Sequence, residues 1–265
     1  MNALLVVLAL AAPSAQAFTL LLGSQNQVTT GWASSSVTFD IDNSCTSYLG
    51  EVRTAINNAS QTWGRVPTSS LRVNQGSLTS LPQAITTYVG NSASSYAPAG
   101  NPIIYCDANF GSDSGTDPNS IPGFATAQNM KSDGELVGCL LVLNVQVGAS
   151  ANITTLDSVL SSVVLTHEIG HCLGFGHSAD PNALMYYATG AGRRLVLAKD
   201  DMDAATYLYP DQEAGSSFLG CASVAGLFPP GGSPRAFFGS FAAELALLVL
   251  FLIGIRIRPT LRRTP

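Results

Sequence analysis

The chain has 265 residues, a formal net charge of −5 and charged side chains at only 11% of its positions. Residues 18–235 carry 16 acidic and 8 basic side chains, a net charge of −8, and contain no cluster of Lys or Arg. This balance argues against nucleic acid and anionic membrane surfaces as partners. The length is enough for one exported domain with a sizeable core.

Residues 1–17 form an apolar run that ends in Ala15-Gln16-Ala17, a small-x-small cleavage site. The run predicts a secretory signal peptide, with Phe18 as the first residue of the mature chain. It contains no Lys or Arg, so an uncleaved membrane anchor is the alternative, although the run is short for a bilayer span.

Hydrophobic periodicity predicts a mixture of strands and helices after the signal. A first strand is expected over 32–41, where apolar and polar residues alternate. An amphipathic helix is expected over 48–63, after a cap region at Ser44 and Thr46. The other predicted elements are strands at 71–73, 103–106 and 137–147 and helices at 152–174 and from Asp200 onward.

The helix expected over 152–174 has its own start signal and buried face. Thr154 and Asp157 have the spacing of a capping box. An apolar stripe is expected to anchor the helix in the core, and its members are Val159, Leu160, Val163 and Val164.

All three histidines of the chain lie in this region, at positions 167, 171 and 177. On a helix, His167 and His171 lie on one face a turn apart, so both imidazoles can point at one ion. Glu168 beside them is placed to deprotonate a water bound to that ion without being a ligand. Gly174 can adopt the left-handed conformation that ends a helix, so that the chain turns back and His177 supplies a third nitrogen. Three neutral imidazoles with an open fourth position describe a catalytic zinc site.

This segment resembles the motif H-E-x-x-H-x-x-G-x-x-H of the metzincin metallopeptidases. Ser178 and the run Ala183-Leu184-Met185 are similar to the matrixin branch, and residues 197–210 resemble the closing helix of matrixin catalytic domains. The resemblance implies an α/β (α+β) metzincin-type zincin fold. Its parts are a twisted mixed five-stranded sheet, a backing helix, an active-site helix and a small C-terminal subdomain with one helix. It also implies that Met185 forms the Met-turn under the metal.

Residues 123–127 resemble the matrixin edge strand, which implies that Ala125, Thr126 and Ala127 line the cleft and pair with an extended substrate. In that family a histidine between the two alanines binds a second, structural zinc. This chain has Thr126 there and no histidine left for such a site. We therefore expect one catalytic zinc only.

Residues 91–120 are rich in Ser, Asn, Gly, Asp and Pro. Hard oxygen ligands at this density suit Ca²⁺, and matrixins carry structural calcium in the corresponding region. The spacing matches no known calcium loop, however, so a solvated loop is the favoured interpretation and calcium binding is the alternative. The candidate ligands are Asp107, Asn109, Asp113, Asp117 and Asn119.

The residue two positions after Met185 departs from the matrixin pattern, because Tyr187 stands where matrixins usually have Pro. In this respect the chain resembles astacins and serralysins, in which this Tyr lies near the zinc. Tyr187 is therefore a candidate donor to the developing oxyanion, with a packing role in the cleft wall as the alternative. Residues 190–197 are expected to form the wall of the pocket for the side chain that follows the scissile bond.

The predicted catalytic domain covers residues 18–213, and a Gly/Pro/Ser linker follows over 214–236. Residues 237–255 are mostly apolar and long enough to span a bilayer as a helix. The basic tail over 256–265 is expected to stay cytoplasmic, which leaves the catalytic domain outside. The same tail resembles bacterial C-terminal sorting signals, in which case the segment is removed or exchanged. We expect a secreted or cell-surface monomer anchored by this helix.

Five cysteines in an exported chain indicate two disulfides and one unpaired thiol. Cys106 and Cys139 lie on strands that are expected to be neighbours, so they are the first predicted pair. Cys221 in the linker is the predicted unpaired residue. Cys172 is expected to be structural, because a fourth protein ligand would close the zinc site.

The sequence therefore predicts a zinc metalloendopeptidase that hydrolyses peptide bonds in extracellular proteins or peptides, with Glu168 as general base. Two alternatives remain open. One is a metzincin outside the matrixin branch with a narrow substrate range, which Tyr187 favours. The other is a catalytically inactive, surface-anchored binding protein.

Overall fold

The computed structural model describes residues 18–23, 26–91, 93, 96–188 and 194–211. The predicted signal peptide, linker, apolar span and basic tail, together with Cys221, lie outside the described residues. Within the described ranges, no helix is long and apolar enough to cross a bilayer.

The described chain forms six strands, four α-helices and two 3₁₀ helices. The strands are β1 (Gly31–Trp32), β2 (Ser36–Asp42), β3 (Arg72–Thr79), β4 (Ile103–Asp107), β5 (Gly123–Met130) and β6 (Glu135–Asn144). The α-helices are α1 (Leu49–Trp63), α2 (Phe110–Ser114), α3 (Ser158–Cys172) and α4 (Lys199–Leu208), and the 3₁₀ helices are Asn43–Tyr48 and Ile85–Thr87.

The strands form one mixed sheet in the order β1-β6-β4-β2-β3, with β5 also paired to β6. β5 is antiparallel to β6, whereas the other pairings are parallel. The mixed α/β fold predicted from the sequence is confirmed, and the short β1 adds a sixth strand. The strand predicted over 32–41 is wrong as one element, because a bend over 33–35 separates β1 from β2.

Helices α1 and α3 pack on one face of the sheet and enclose the main core. Trp63 at the end of α1 packs against the turn that follows α3, since its ring centroid lies 4.7 Å from that of Phe175. Its indole N–H donates to the Thr166 carbonyl on α3 at 3.2 Å. A smaller cluster covers the other face and includes Ile85, Tyr88, Phe110, Leu140 and Val142.

The helix starts differ from the predicted ones. The Asp42 carboxylate, not Ser44 or Thr46, caps the 3₁₀ helix, because it accepts the Ser44 N–H at 2.8 Å. Helix α3 begins at Ser158, since Asp157 accepts two N–H groups of its first turn at 2.9 and 3.2 Å.

The predicted apolar stripe of α3 is correct only from its second turn. Val163 and Val164 are buried, whereas Val159 is 48% exposed. Val159 lies in the first turn of the helix, next to the N-cap, and this turn extends beyond the core. The anchoring contacts of α3 therefore come from its C-terminal two-thirds.

The predicted Cys106–Cys139 disulfide is wrong. The disulfides are Cys45–Cys106 and Cys139–Cys172. Strands β4 and β6 are neighbours as expected, but Cys106 lies opposite Leu143 in their register. Cys139 is four residues away along β6, about 13 Å at the rise of a strand, which is too far for a disulfide.

Candidate metal centre

The three histidines converge at the C-terminal end of α3. The candidate ligand atoms of His167, His171 and His177 all lie within 4.8 Å of one another. The Nε2 atoms of His171 and His177 are 3.2 Å apart. Two nitrogens on a tetrahedral zinc, each about 2.05 Å from the ion, are separated by about 3.3 Å. The spacing therefore fits zinc.

Two backbone carbonyls set the tautomers of the first two histidines. The Nδ1 atom of His167 lies 2.7 Å from the Leu184 carbonyl oxygen, and that of His171 lies 2.8 Å from the Phe175 carbonyl oxygen. A carbonyl only accepts, so Nδ1 carries the proton and Nε2 is the unprotonated nitrogen. We assign both tautomers on this basis.

Burial keeps the histidines neutral. It lowers the pKa of His167 to about 4 and that of His171 to about 3, and it also lowers the pKa of His177. Neutral imidazole is the form that binds a metal ion, so no proton has to be displaced at neutral pH. The chemistry of this donor set suits zinc.

The turn after α3 brings His177 back to the helix. Gly174 has φ +103°, which favours glycine, and the Phe175 N–H donates to the Gly170 carbonyl at 3.0 Å. Residues 19–21 pair with this turn, because the Leu21 N–H donates to the Gly174 carbonyl at 3.1 Å and the Gly176 N–H donates to the Thr19 carbonyl at 3.0 Å. The turn that leads to His177 is thus held by α3 on one side and by residues 19–21 on the other.

Met185, the predicted Met-turn residue, packs directly against α3. It is 2% exposed, and a Cβ on Gly170 would lie 2.5 Å from its sulfur. Asp201 holds this segment, since its carboxylate accepts the N–H groups of Leu184 at 2.7 Å and Met185 at 3.0 Å. Sequence reasoning missed this role and gave Asp201 only a place at the start of the last helix. An acidic residue at the third position of α4 predicts only the local contact at the helix start, in which its side chain accepts the Ala198 N–H at 2.8 Å.

Glu168 follows the first histidine on α3 and is 8% exposed. Burial raises the pKa of Glu168 to about 8, and a hydrogen bond from the backbone N–H of Ala125 opposes this rise. The helix that carries the carboxylate and the strand β5 are therefore in direct contact at the site.

Strand β5 places the predicted substrate-edge residues beside the helix. Ala125 pairs with Leu141 and Thr126 with Leu140 of β6. The Thr126 hydroxyl donates to the Leu140 carbonyl at 3.3 Å. Ala127 lies on the same strand. Thr126 also lines a cavity of about 480 Å³ with Phe124, which packs with the cluster on the sheet face away from α3.

Tyr187 contacts the neighbouring tyrosine. Its ring centroid lies 4.4 Å from that of Tyr186, and it is 63% exposed. A hydrogen bond between the two side chains raises the pKa of Tyr186. In the wall segment predicted over 190–197, Leu195 and Leu197 pack against the main core, and residues 190–193 lie outside the described residues.

The acidic loop uses its carboxylates in local turns. Asp107 accepts the Asn109 N–H at 2.8 Å, and Asp117 accepts the Asn119 N–H at 3.0 Å. In the part of the chain that the structure describes, only one group of three or more His, Cys, Asp or Glu side chains could hold a metal ion, and it is the three histidines.

Comparison with known proteins points to one family. Residues 107–210 match the family model described as Matrixin. Human matrilysin is 50% identical over 46 residues, which are 17% of this chain and 17% of that protein. The metalloendoproteinase 5-MMP of Arabidopsis thaliana is 45% identical over 58 residues, which are 20% of this chain and 16% of that protein. Human neutrophil collagenase is 42% identical over 62 residues, 21% of this chain and 13% of that protein. The chain therefore spans less than a fifth of the length of these relatives.

Proposed function

We propose that the chain, which is a matrixin-like metzincin over residues 107–210, is a zinc-dependent endopeptidase acting on extracellular proteins or peptides. The observation that carries the proposal is the convergence of His167, His171 and His177 within 4.8 Å, with Glu168 beside them on the same helix. The relatives named as metalloendoproteinases and collagenase support the reaction class.

The three histidines would hold one zinc ion through their unprotonated ring nitrogens. Zinc would supply a Lewis acid for the scissile carbonyl and lower the pKa of the attacking water. The Leu184 and Phe175 carbonyls orient two of the rings and increase their basicity as ligands. Metal analysis of the purified protein tests the count of one zinc, and the same measurement tests the alternative that residues 107–119 bind calcium.

Glu168 would take the proton of the attacking water and pass it to the leaving amine, first as general base and then as general acid. Burial favours its protonated form, and the Ala125 N–H stabilises its charged form. These opposing effects suit a group that must gain and lose a proton within one turnover.

An extended peptide would lie along β5 at Ala125, Thr126 and Ala127. Two observations support this proposal: β5 is paired with β6, and the backbone N–H of Ala125 donates to Glu168. Main-chain pairing with an edge strand is a common way to bind extended peptides. A peptide or protein, and not nucleic acid, is the expected substrate, in keeping with the lack of basic clusters.

Tyr187 would donate to the developing oxyanion when substrate is bound. Its exposure leaves the side chain accessible at the surface of the Met185 segment. A Tyr187→Phe variant tests the role, since loss of a transition-state donor lowers kcat by about 10²-fold or more with little change in KM. A packing role alone would leave kcat within a few-fold of the parent.

Export and anchoring extend the proposal to the ends of the chain. Residues 1–17 would direct export, 18–213 would form the catalytic domain, and 214–236 would link it to a membrane or sorting segment at 237–255 with a basic tail at 256–265. Mass spectrometry of the mature protein tests both ends. Gel filtration with light scattering tests the proposed monomer.

The reaction is tested by Glu168→Ala with a peptide library as substrate. We expect this variant to bind zinc as the parent does and to lose peptidase activity, whereas Glu51→Ala, at an exposed position of α1, keeps both. Cleavage by the Glu168 variant at the parent's rate would refute the mechanism. A parent that binds zinc but cleaves nothing would favour the binding-protein alternative, and a single narrow cleavage motif would favour the non-matrixin branch.

A further inference from the structure

Three interactions meet at the C-terminal end of α3, where the second histidine lies. Cys172, the last residue of the helix, forms a disulfide with Cys139 of β6. The indole N–H of Trp32 donates to the Cys172 carbonyl at 2.7 Å. The Tyr209 hydroxyl donates to the Leu173 carbonyl at 2.6 Å. The last carbonyls of a helix lack partners within the helix, so these two donors satisfy groups that would otherwise need water.

The C-terminal end of α3 lies between two of the proposed metal ligands along the chain, His171 before it and His177 after it. His171 precedes Cys172 directly, and its ring bonds to the carbonyl of Phe175, three residues after Cys172. The Gly174 turn then leads to His177. A shift of the helix end would move the second histidine and the start of the third histidine's turn together.

The disulfide also connects the helix to the substrate strand. Cys139 lies on β6 between Gly138, which pairs with Asn129 of β5, and Leu140, which pairs with Thr126. Glu168 is on α3, while the strand proposed to bind the peptide is β5. The disulfide therefore joins α3, which carries Glu168 and two of the histidines, to β6, the strand that pairs with β5.

We propose that the Cys139–Cys172 disulfide is a positioning element of the active site, which fixes His171 and Glu168 relative to β5, and that Trp32 assists it. The proposal rests on the zinc peptidase function proposed above. Both cysteines are completely buried, so we expect the disulfide to remain intact as a constant structural constraint. Neither cysteine is a ligand or a catalytic residue.

The second disulfide supplies a matched control within the same chain. Cys45–Cys106 joins the 3₁₀ helix Asn43–Tyr48 to β4 and is also buried. It spans 61 residues, against 33 for Cys139–Cys172. In the chain-entropy model the larger loop stabilises the fold at least as much. If both disulfides only stabilise the fold, removal of Cys45–Cys106 should weaken zinc binding at least as much as removal of Cys139–Cys172. If Cys139–Cys172 positions the site, only its removal should weaken zinc binding.

The experiment compares the paired variants Cys139→Ala/Cys172→Ala and Cys45→Ala/Cys106→Ala in the full chain. Zinc affinity is measured by competition with a chromophoric chelator, and backbone hydrogen exchange is measured on the metal-free protein. We expect the first variant to bind zinc about 10–100-fold more weakly, the range seen when groups that orient metal ligands are lost. We also expect faster exchange of the amides over 169–177 and a lower kcat at saturating zinc. The control variant should keep the parent's zinc affinity and exchange over 169–177 while losing thermal stability.

Unchanged zinc affinity in the first variant, or equal weakening in both, would overturn the proposal. If the first variant does not fold, Trp32→Phe removes the indole donor alone and should weaken zinc binding in the same direction. Parent affinity in that variant would then overturn it. Zinc affinity and exchange do not require turnover, so a parent without peptidase activity would refute the proposed function without deciding this one.

Discussion

The carboxylate of Asp201 accepts a hydrogen bond from the backbone N–H of Met185, with its oxygen 3.0 Å from the nitrogen. The first turn of α4 thereby holds the segment beneath the histidines. The same carboxylate accepts the N–H of Leu184, whose carbonyl orients His167. Asp201 is 1% exposed, so its partners have no ready access to water.

Replacement of this carboxylate should be costly. Asp201→Ala leaves three N–H groups without their acceptor, and a buried unsatisfied group costs about 1–3 kcal/mol. We expect the free energy of unfolding to fall by about 3–5 kcal/mol, measured by urea denaturation. Asp203→Ala, on the same helix, removes only a surface ion pair with Lys199 and should change it by about 0.5 kcal/mol or less. Similar losses in both variants would contradict the assigned role.

A second prediction concerns the close approach of α3 and the Met185 segment. In Gly170→Ala the new Cβ would lie 2.5 Å from the Met185 sulfur and 3.0 Å from the Trp63 ring. We expect a loss of about 1–3 kcal/mol from overpacking, together with weaker zinc binding because His171 follows directly. Gly50→Ala, at an exposed position of α1 with no atom within 4 Å of the new Cβ, should stabilise the protein by about 0.5–1 kcal/mol. Thermal melts and chelator competition on both variants test the contrast.

A third prediction follows from the buried Asp107 at the end of β4. Burial raises its pKa to about 6, and the charge of Asp113 adds to the rise. The ordinary value is lower, so the folded state binds this proton more tightly than the unfolded state does. The contribution to stability is complete below about pH 4 and is lost as pH rises through about 6. One pKa unit corresponds to about 1.4 kcal/mol, so the total change is about 3 kcal/mol at most.

Asp107→Asn should remove this dependence and be more stable than the parent at pH 7. The amide oxygen can still accept the Asn109 N–H. Chemical denaturation at intervals from pH 4 to pH 7 measures the effect. Asp133→Asn, in an exposed turn, serves as the control and should keep the parent's profile. The buried histidines make the stability of both proteins rise with pH, so the difference between Asp107→Asn and the parent carries the test. A difference that does not grow in favour of Asp107→Asn from pH 4 to pH 7 would contradict the assignment.

A fourth prediction concerns metal removal. Chelation should lower Tm, because an ion that binds only the folded state stabilises it by mass action. The expected shift is at least several degrees, and added zinc should restore the original Tm. His177→Ala, which removes the most exposed of the three ligands, should reduce the chelator-induced shift. A parent whose Tm is insensitive to chelation would argue against a metal centre.

The convergence of the three histidines could be predicted because its geometry is local. His167 and His171 are one helical turn apart, and a single glycine turn brings back His177, so ten residues of chain contain the arrangement. Helical period and the conformational freedom of Gly174 follow from residue type alone. The order of helices and strands was likewise readable from periodicity, with errors at the bend over 33–35 and at the helix starts.

The disulfide pairing and the role of Asp201 could not be predicted in this way. Cys106 and Cys139 lie on neighbouring strands, as expected, yet the register of β4 against β6 places them too far apart. Asp201 reaches the Met185 segment only because α4 packs behind it. Neither relationship leaves a signal in the spacing of residues along the chain.

The amino-acid sequence by itself thus determined that three histidines converge and that Glu168 lies beside the first of them, because helix and turn geometry act over a few neighbouring residues. Only the tertiary structure decided which cysteines pair, what supports Met185 and how Glu168 meets Ala125 of β5. Those contacts depend on strand register and helix packing, which are set by the whole core.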